Sequence, residues 1–452
     1  MYEDPLYYVH KRDIDNLIWL ATFGDAVEKP INQWLIWELA QYEGVRPWSI
    51  HDLYMARGRG EVPPTFTVPA MNLRALTYDT ARAVFRAALK LNAGAMIFEI
   101  ARSEIGYTSQ RPAEYVSAVL AAAIKEGYQG PLFIQGDHFQ VNGKKYQAGG
   151  AERDKELKAV RDLTAEAVAA GFYNIDVDTS TLVNLKWPSV AEQQRENFEQ
   201  CAQLTRFTRG VEPGKLTVSV GGEIGEVGKK NSTEEELRAF MDGYLAAARG
   251  VWGISKISIQ TGTSHGGVMM PDGKLKDVAI DFDTLARLSK VAREEYHLAG
   301  AVQHGASTLP AEAFGKFVEC GACEVHLATE FQNMMFESPA FPKALKQEMY
   351  AWLDVNAADE RAPGETPDQF YYKSRKKALG PFKQELWKLT PDVDERICSA
   401  LQAKFEFLFE RLGIVNTYDV VMRTVKTEEI HKEKPAGAGA ALAAEDVKGL
   451  AD

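Results

Sequence analysis

The amino-acid sequence predicts an α/β protein built on a closed (β/α)8 barrel, with N-terminal helices and a C-terminal helical extension. Between residues 64 and 335, eight short β-rich runs alternate with longer amphipathic segments. Eight such units over roughly 270 residues suit a barrel of this kind. An open doubly wound sheet is the alternative, but no helical segment opens on G-x-G-x-x-G, which disfavours its dinucleotide-binding form.

The eight runs are short, and most are rich in β-branched or aromatic residues, as strands are. In chain order they are FTVPAMN, AMIFEI, PLFIQGDH, YNIDVDTS, LTVSVGGE, SKISIQTG, AGAVQHG and EVHLATE. The intervening segments 77–94 and 154–171 repeat apolar residues at helical spacing and end in Gly94 and Gly171. Glycine is a common helix stop, so each segment is predicted to be one helix.

The parts that flank the barrel differ from it in composition. Residues 1–63 read as an N-terminal helical segment rich in Trp and Tyr, closed by the breaker GRGEVPP. Residues 336–430 read as a helical extension whose aromatics need a packing partner, and 431–452 as a flexible tail. The basic run between Lys373 and Lys377 is interpreted as a solvated helix face rather than a phosphate site.

Composition limits the function classes. The net charge of −11 disfavours a nucleic-acid surface, and no apolar run is long enough to span a membrane. The first residues are too polar for a signal peptide, so we expect a cytoplasmic enzyme. Cys320 and Cys323 form the one C-x-x-C of the chain, and packing is the preferred interpretation over a redox or zinc site.

Reactive residues of such barrels lie at the carboxyl ends of the strands, and the predicted strands end in metal-ligand types. Three of the eight histidines of the chain fall there, accompanied by carboxylates. Imidazoles that converge on one barrel mouth can bind a divalent metal and leave positions open for substrate, so we predict a metal site. The strand-end residues are Asp137, His138, Asp178, Glu223, His265 and His304.

The strand-end residues lie in five motifs, which are GDHF, NIDVDTSTL, GGEIG, TGTSHGG and AVQHGAS. Together these motifs resemble the class II, metal-dependent fructose-bisphosphate aldolases, and also tagatose-bisphosphate aldolases. The resemblance covers about residues 64–335 and keeps the family's order along the chain.

The resemblance implies a role for each matching residue. His138, His265 and His304 would hold Zn²⁺ or another divalent metal, with Glu223 and Asp178 as further ligands or as partners of the ligands. Asp137 would be the acid/base of C–C cleavage. A monovalent cation is also implied. The implied substrate- and phosphate-binding residues are Gly266, Gly305, Ser307, Thr329 and Asn72.

The chain departs from the family pattern after strand five and at strand eight. The family's Glu eight residues past Glu223 is here Asn231, so Glu226 or Glu235 would substitute as the second base. The family's strand-eight Asn and Asp are here His326 and Ala328.

Adjacent residues of an extended strand point to opposite faces, so Asp137 and its neighbour His138 converge only if the strand has ended there.

The predicted function is reversible aldol cleavage of a phosphorylated ketose, of fructose 1,6-bisphosphate or tagatose 1,6-bisphosphate type, to dihydroxyacetone phosphate and an aldehyde. Three alternatives stay open: the same chemistry on another sugar or sugar acid, a non-catalytic partner subunit of an aldolase, and a metal-dependent hydrolase. A homodimer or homotetramer is expected.

Overall fold

The prediction of a (β/α)8 barrel is confirmed. The computed structural model describes residues 13–225, 230–262, 269–270 and 280–435. All eight predicted strands form and run parallel. They close into a barrel because the strand at Asn174–Asp178 pairs with the strand at Gly130–Gln140. The open doubly wound alternative is therefore wrong. The strands are β2 Val68–Asn72, β3 Ile97–Ala101, β4 Gly130–Gln140, β5 Asn174–Asp178, β6 Ser219–Glu223, β7 Lys256–Ile259, β8 Ala301–Gln303 and β9 Glu324–Leu327.

A ninth strand, β1 (Val45–Trp48), lies within the region predicted to be helical. It pairs with residues 130–133 of β4, whereas β5 pairs with β4 from Gln135 onward. Asn174 joins the three strands: its Nδ2 donates to the carbonyls of Trp48 (3.3 Å) and Ile134 (3.0 Å). Its Oδ1 accepts from the backbone N–H of Ile50 at 2.8 Å. β1 thus extends the barrel wall below β5.

Helices fill the connections and both flanks. In the described residues they are α1 Ile14–Phe23, α2 Glu28–Tyr42, α3 His51–Gly58, α4 Thr77–Leu91, α5 Arg102–Thr108, α6 Pro112–Glu126, α7 Gly143–Ala148, α8 Gly150–Ala170, α9 Val190–Val211, α10 Glu234–Ala247, α11 Phe282–Glu294, α12 Phe314–Glu319, α13 Thr329–Phe336, α14 Lys343–Asn356, α15 Pro367–Ser374, α16 Lys383–Leu386, α17 Pro391–Arg411 and α18 Tyr418–Thr424. Short 3-10 turns in the described part of the chain lie at Ser180–Leu182, Ala311–Ala313, Ala358–Glu360 and Arg375–Ala378.

The two helices predicted to end in glycine end differently. α8 stops at Gly171, whose φ of 121° is a conformation that a side chain disfavours. α4 stops earlier, at Asn92 in the left-handed region (φ 50°), and not at Gly94. Gly94 instead allows close packing, since a Cβ there would lie 2.9 Å from Cα of Tyr418.

The two faces of the barrel wall have opposite character. The outer face packs apolar side chains on the helices; the Phe98 ring, for example, lies 4.9 Å from that of Phe85 on α4. The inside of a (β/α)8 barrel is usually filled by branched apolar residues. Here Glu99, Lys256 and Glu324 are fully or almost fully buried. Lys256 contacts Glu324 directly, and the Gln135 amide donates to both Glu99 and Glu324. This charged interior was not predicted from the sequence.

The C-terminal extension packs on the barrel and returns to the N-terminal helices. α17 lies along α4, and its Phe405 ring is 4.8 Å from that of Phe331. Farther on, the indole Nε1 of Trp37 donates to the carbonyl of Ile430 (2.6 Å), and the Lys432 ammonium lies 3.5 Å from the Trp37 ring centroid. Within the described part of the chain, no helix combines the length and apolar character needed to cross a membrane.

Candidate metal-binding and active site

A bulge in β4 turns Asp137 and His138 toward the same side. The strand continues to Gln140, so the expectation that it ends before these residues is wrong. Its register with β5 shifts between Gly136 and Phe139, and His138 has a φ of 41°. A Cβ on Gly136 would lie 2.4 Å from the Phe139 ring, so glycine makes room for the bulge. Asp137 Oδ1 and His138 Nε2 end 3.9 Å apart.

Carboxylates from the next two strands hold the His138 ring. Its Nδ1 lies 3.0 Å from Oδ2 of Asp178 and 3.4 Å from Oε2 of Glu223. Burial opposes a charge on His138, but Asp137 and Glu223 outweigh it and raise its pKa well above the usual value. Burial raises the pKa of Glu223 to about 7, with the Asp178 charge adding to it. A carboxylate on Nδ1 fixes the orientation of a histidine and makes its other nitrogen a better ligand.

Three imidazoles meet at the mouth. The His304 ring, just after β8, lies 4.3 Å from the His138 ring and 4.0 Å from the ring of His326 on β9 (centroid distances). His304 Nε2 lies 3.0 Å from Oγ of Ser258. His138 and His304 are therefore brought together as predicted. His326, which was noted only as a departure from the family pattern, is the third ring of the cluster.

The donor atoms are close enough to hold a metal ion. One group is His138, Glu223 and His304, and another is Asp137, His304 and His326; within each, the ligand atoms lie within 4.8 Å of one another. His304 belongs to both groups. Sets of imidazoles and one carboxylate are the donors that Zn²⁺ and similar divalent metals prefer, so these residues fit such an ion.

Below the imidazoles lies a charged cluster that the sequence analysis missed. The Lys256 ammonium is 2.9 Å from Oδ1 of Asp176 and contacts Oε1 of Glu324. His326 spans the gap to the mouth, with Nδ1 3.1 Å from Oε1 of Glu99 and Nε2 2.7 Å from Glu324. Burial raises the pKa of Glu99 to about 8 and that of Asp176 to about 6. Lys256 and His326 thus lie between carboxyl groups, and the buried charges compensate one another.

Asn72, at the end of β2, contacts the predicted acid/base. Its Nδ2 donates to Oδ2 of Asp137 and to Oε2 of Glu104, each at 2.9 Å. The cavity at the mouth is lined by seven residues predicted from the sequence, which are Asn72, Asp137, His138, His304, Gly305, Ser307 and Thr329. Three further lining residues, Arg74, His326 and Ala328, were not among the predicted site residues.

Part of the predicted site lies outside the described residues: the candidate metal ligand His265, the phosphate-binding candidate Gly266 and the candidate base Glu226. Asn231, at the family's Glu position, donates from Nδ2 to Oδ2 of Asp281 at 2.9 Å. Glu235, the other candidate base, is exposed in the first turn of α10.

Cys320 and Cys323 are free thiols. Burial raises the pKa of Cys323 to about 12 and that of Cys320 to about 11, which disfavours the reactive thiolate. Each thiol instead donates to a nearby backbone carbonyl.

The basic run is not a uniform solvated face. Arg375 is buried, donates to Oδ1 of Asn333 (2.7 Å) and pairs with Glu337. Lys373 is exposed and pairs with Glu365 at 2.8 Å. The solvated interpretation therefore holds for Lys373 and is wrong for Arg375.

Fold and site together define a (β/α)8-barrel protein with a candidate divalent-metal site at the carboxyl ends of its strands. The family model described as fructose-bisphosphate aldolase class-II matches residues 64–385. The chain belongs to this family, which indicates a lyase. The match begins where the sequence resemblance begins and continues past residue 335 into the C-terminal helices.

Solved structures with TM-scores above 0.5 share the fold at low sequence identity. The fructuronate-tagaturonate epimerase UxaE from Cohnella laeviribosi is 11% identical, with a TM-score of 0.55 over 84% of this chain and 85% of its own. A probable tagatose 6 phosphate kinase from Sinorhizobium meliloti is 14% identical, with a TM-score of 0.53 over 79% and 98%. Fructose-bisphosphate aldolase from Campylobacter jejuni is 19% identical, with a TM-score of 0.48 over 82% and 97%. No curated protein matches the chain by sequence comparison.

Proposed function

We propose that the protein is a metal-dependent aldolase that reversibly cleaves a phosphorylated ketose, of fructose 1,6-bisphosphate or tagatose 1,6-bisphosphate type, to dihydroxyacetone phosphate and an aldehyde. One observation carries the proposal: the β4 bulge places Asp137 and His138 on one side, facing His304. An acid/base group and two metal ligands then share one cavity.

The described residues supply the proton chemistry of cleavage. Burial alone would raise the pKa of Asp137, but without a metal ion the charges on His138 and His326 hold it well below its usual value. An ion bound by His138 would supply positive charge in place of the protonated ring. As a carboxylate, Asp137 accepts the proton of the hydroxyl whose oxygen becomes the aldehyde carbonyl while the C–C bond breaks. Asn72 holds Asp137 Oδ2 at 2.9 Å and so orients this oxygen pair.

His138, His304 and Glu223 would hold the divalent ion, with His265 as the predicted third imidazole. When bound, Zn²⁺ supplies Lewis acidity toward the substrate carbonyl. Glu226 is assigned the proton transfer to and from the three-carbon ketone. It takes the place of the family Glu, whose position is Asn231 in this chain. A monovalent cation beside the phosphate stays a prediction.

The test is release of triose phosphate from fructose 1,6-bisphosphate or tagatose 1,6-bisphosphate by zinc-loaded protein. EDTA should abolish release, and added zinc should restore it. His304→Ala should be inactive, whereas His431→Ala, a change at an exposed histidine that pairs with Glu38, should keep full activity. Turnover that persists in metal-free protein would refute the mechanism.

A second candidate is the same chemistry on another sugar or a sugar acid. His326 and Ala328 stand where the family has Asn and Asp, and both line the cavity. The epimerase neighbour is named for the sugar acids fructuronate and tagaturonate. Competitive inhibition by phosphoglycolohydroxamate supports the phosphorylated ketose, while cleavage of a hexuronate without such inhibition supports this alternative.

Assembly and location are also proposals. We expect a cytoplasmic homodimer or homotetramer, and sedimentation velocity of the purified chain would measure its mass in solution.

A further inference from the structure

Arg74 brings a guanidinium into the catalytic cavity. It lies two residues past the end of β2, and its side chain is 4% exposed. It lines the same cavity as Asp137, His304 and His326. Burying a guanidinium is costly unless its charge is compensated, so its position beside the candidate metal ligands calls for a physical reason.

Glu104 holds one edge of Arg74. Its Oε1 accepts from Arg74 Nε at 2.5 Å. Burial opposes the charge on Arg74, but Glu104 outweighs it and raises the pKa of Arg74, so the guanidinium stays charged. The Nη1 atom lies 3.4 Å from two neutral oxygens, Thr329 Oγ1 and Gln332 Oε1. Such long contacts are weak and can be exchanged for a shorter, charge-assisted bond to an anion.

The same carboxylate links Arg74 to the acid/base. Glu104 Oε2 accepts from Asn72 Nδ2, which also donates to Oδ2 of Asp137, both at 2.9 Å. Arg74, Glu104, Asn72 and Asp137 thus form one hydrogen-bonded chain. A group bound at Arg74 is held at a fixed place relative to the carboxylate that moves the proton.

We propose that Arg74 binds the anionic end group of the substrate and thereby selects acidic sugars. Thr329, Ser307 and Gly305 line the cavity with it and supply neutral donors around the same anion. The end group is a phosphate or a carboxylate. Both are oxyanions with two or more acceptor oxygens, which a guanidinium binds through parallel hydrogen bonds. The inference rests on the proposed function for the identity of the site, and it names a residue that determines specificity there.

The test is calorimetric titration of zinc-loaded protein with three probes: glycerol 3-phosphate, glycolate and neutral glycerol. Wild type should bind at least one of the two anions, and that one identifies the end group as phosphate or carboxylate. Arg74→Met should weaken that binding about tenfold to a hundredfold, as expected for bonds to a charged group. Glycerol binding should not change, and neither should anion binding in Arg238→Met, a change in an exposed pair with Glu295.

A second variant guards against misfolding. Arg74→Met leaves the buried Glu104 carboxylate without its cation, so the paired change Arg74→Met with Glu104→Gln removes both charges. It should fold and lose the same affinity. In turnover, Arg74→Met should raise KM more than it lowers kcat, and added guanidinium should restore part of the lost affinity.

Equal anion binding by wild type and the folded Arg74 variants would overturn the inference, as would failure of wild type to bind either anion. These outcomes are separable from the proposed function, because probe binding needs no turnover. Ketose cleavage with Arg74-independent anion binding refutes the inference alone. Arg74-dependent binding without any cleavage refutes the proposed function alone.

Discussion

Replacement of Lys256 by Met tests whether one buried ammonium stabilises the charged interior of the barrel. Its side chain is 1% exposed, and it lies 2.9 Å from Oδ1 of Asp176. It also donates to Oε1 of Gln135 at 2.8 Å and contacts Oε1 of Glu324. Methionine has a similar length and no charge, so the change leaves two buried carboxylates without this cation.

The expected loss follows from the cost of breaking a buried ion pair, about 3–5 kcal/mol. Domains are stable by only about 5–15 kcal/mol, so this is a large share. Burial alone would raise the pKa of Glu324, but Lys256 and His326 lower it to about 2. A depressed folded-state pKa contributes stability above the unfolded value near 4.5, and that contribution is lost as the pH falls toward 2. The difference in the free energy of unfolding between wild type and Lys256→Met should therefore become smaller as the pH falls.

The measurement is urea unfolding followed by circular dichroism at pH 7 and at pH 3, which lies inside the window of the Glu324 shift, in EDTA. Lys290→Met is the matched control, since its 3.9 Å pair with Glu294 is exposed and should contribute less than about 0.5 kcal/mol. Adding Glu324→Gln to the Lys256 variant should recover part of the loss. If Lys256→Met unfolds within about 1 kcal/mol of wild type at pH 7, the interior does not depend on this cation.

Three further predictions concern the bulge, the extension and the metal. Gly136→Ala should disrupt the bulge, because its Cβ would lie 2.4 Å from the Phe139 ring, and should abolish both zinc binding and activity without preventing expression. Burial and a facing carboxylate on α17 raise the pKa of Asp79 to about 7, so wild type loses stability as the pH rises from about 4 to 7. Asp79→Asn should match wild type in thermal unfolding at pH 4 and exceed it by about 4 kcal/mol at pH 8, because one pKa unit corresponds to about 1.4 kcal/mol; equal stability at pH 8 would contradict the shift. Replacing a group that only hydrogen-bonds to a metal ligand typically weakens metal affinity about 10–100-fold. His304→Ala should weaken zinc affinity by more than this, as measured by chelator competition. Unchanged affinity would exclude His304 as a ligand.

Most of the barrel could be predicted because each strand is a short apolar run bounded by turn residues. β1 could not, since Val45–Trp48 is four residues long, contains Pro47 and follows a helix with the same Trp-rich composition. Among the described residues, the strand-end positions also predicted that His138 lies near Asp178, Glu223 and His304. His138 and Asp178 are 40 residues apart in sequence and 3.0 Å apart in space.

The remaining site residues depend on geometry that a single sequence does not show. The bulge arises from a register shift against β5, so the common orientation of Asp137 and His138 is not visible in their spacing. His326 lies one residue before the end of β9, so strand-end positions alone do not include it. The signal was available: residues 324 and 326 of one strand point to the same face, and both are polar.

The placement of β1 has a consequence for how the molecule opens. Four backbone positions at the start of β4 depend on an N-terminal segment, and Asn174 ties that segment to β4 and β5. Removing the first 63 residues would therefore expose an unpaired strand edge on the barrel wall, and exposed edges pair with strands of other chains. In native-state hydrogen exchange, β1 and the lower half of β4 should lose protection together, as one cooperative unit, and a chain shortened to the family-matched region should aggregate.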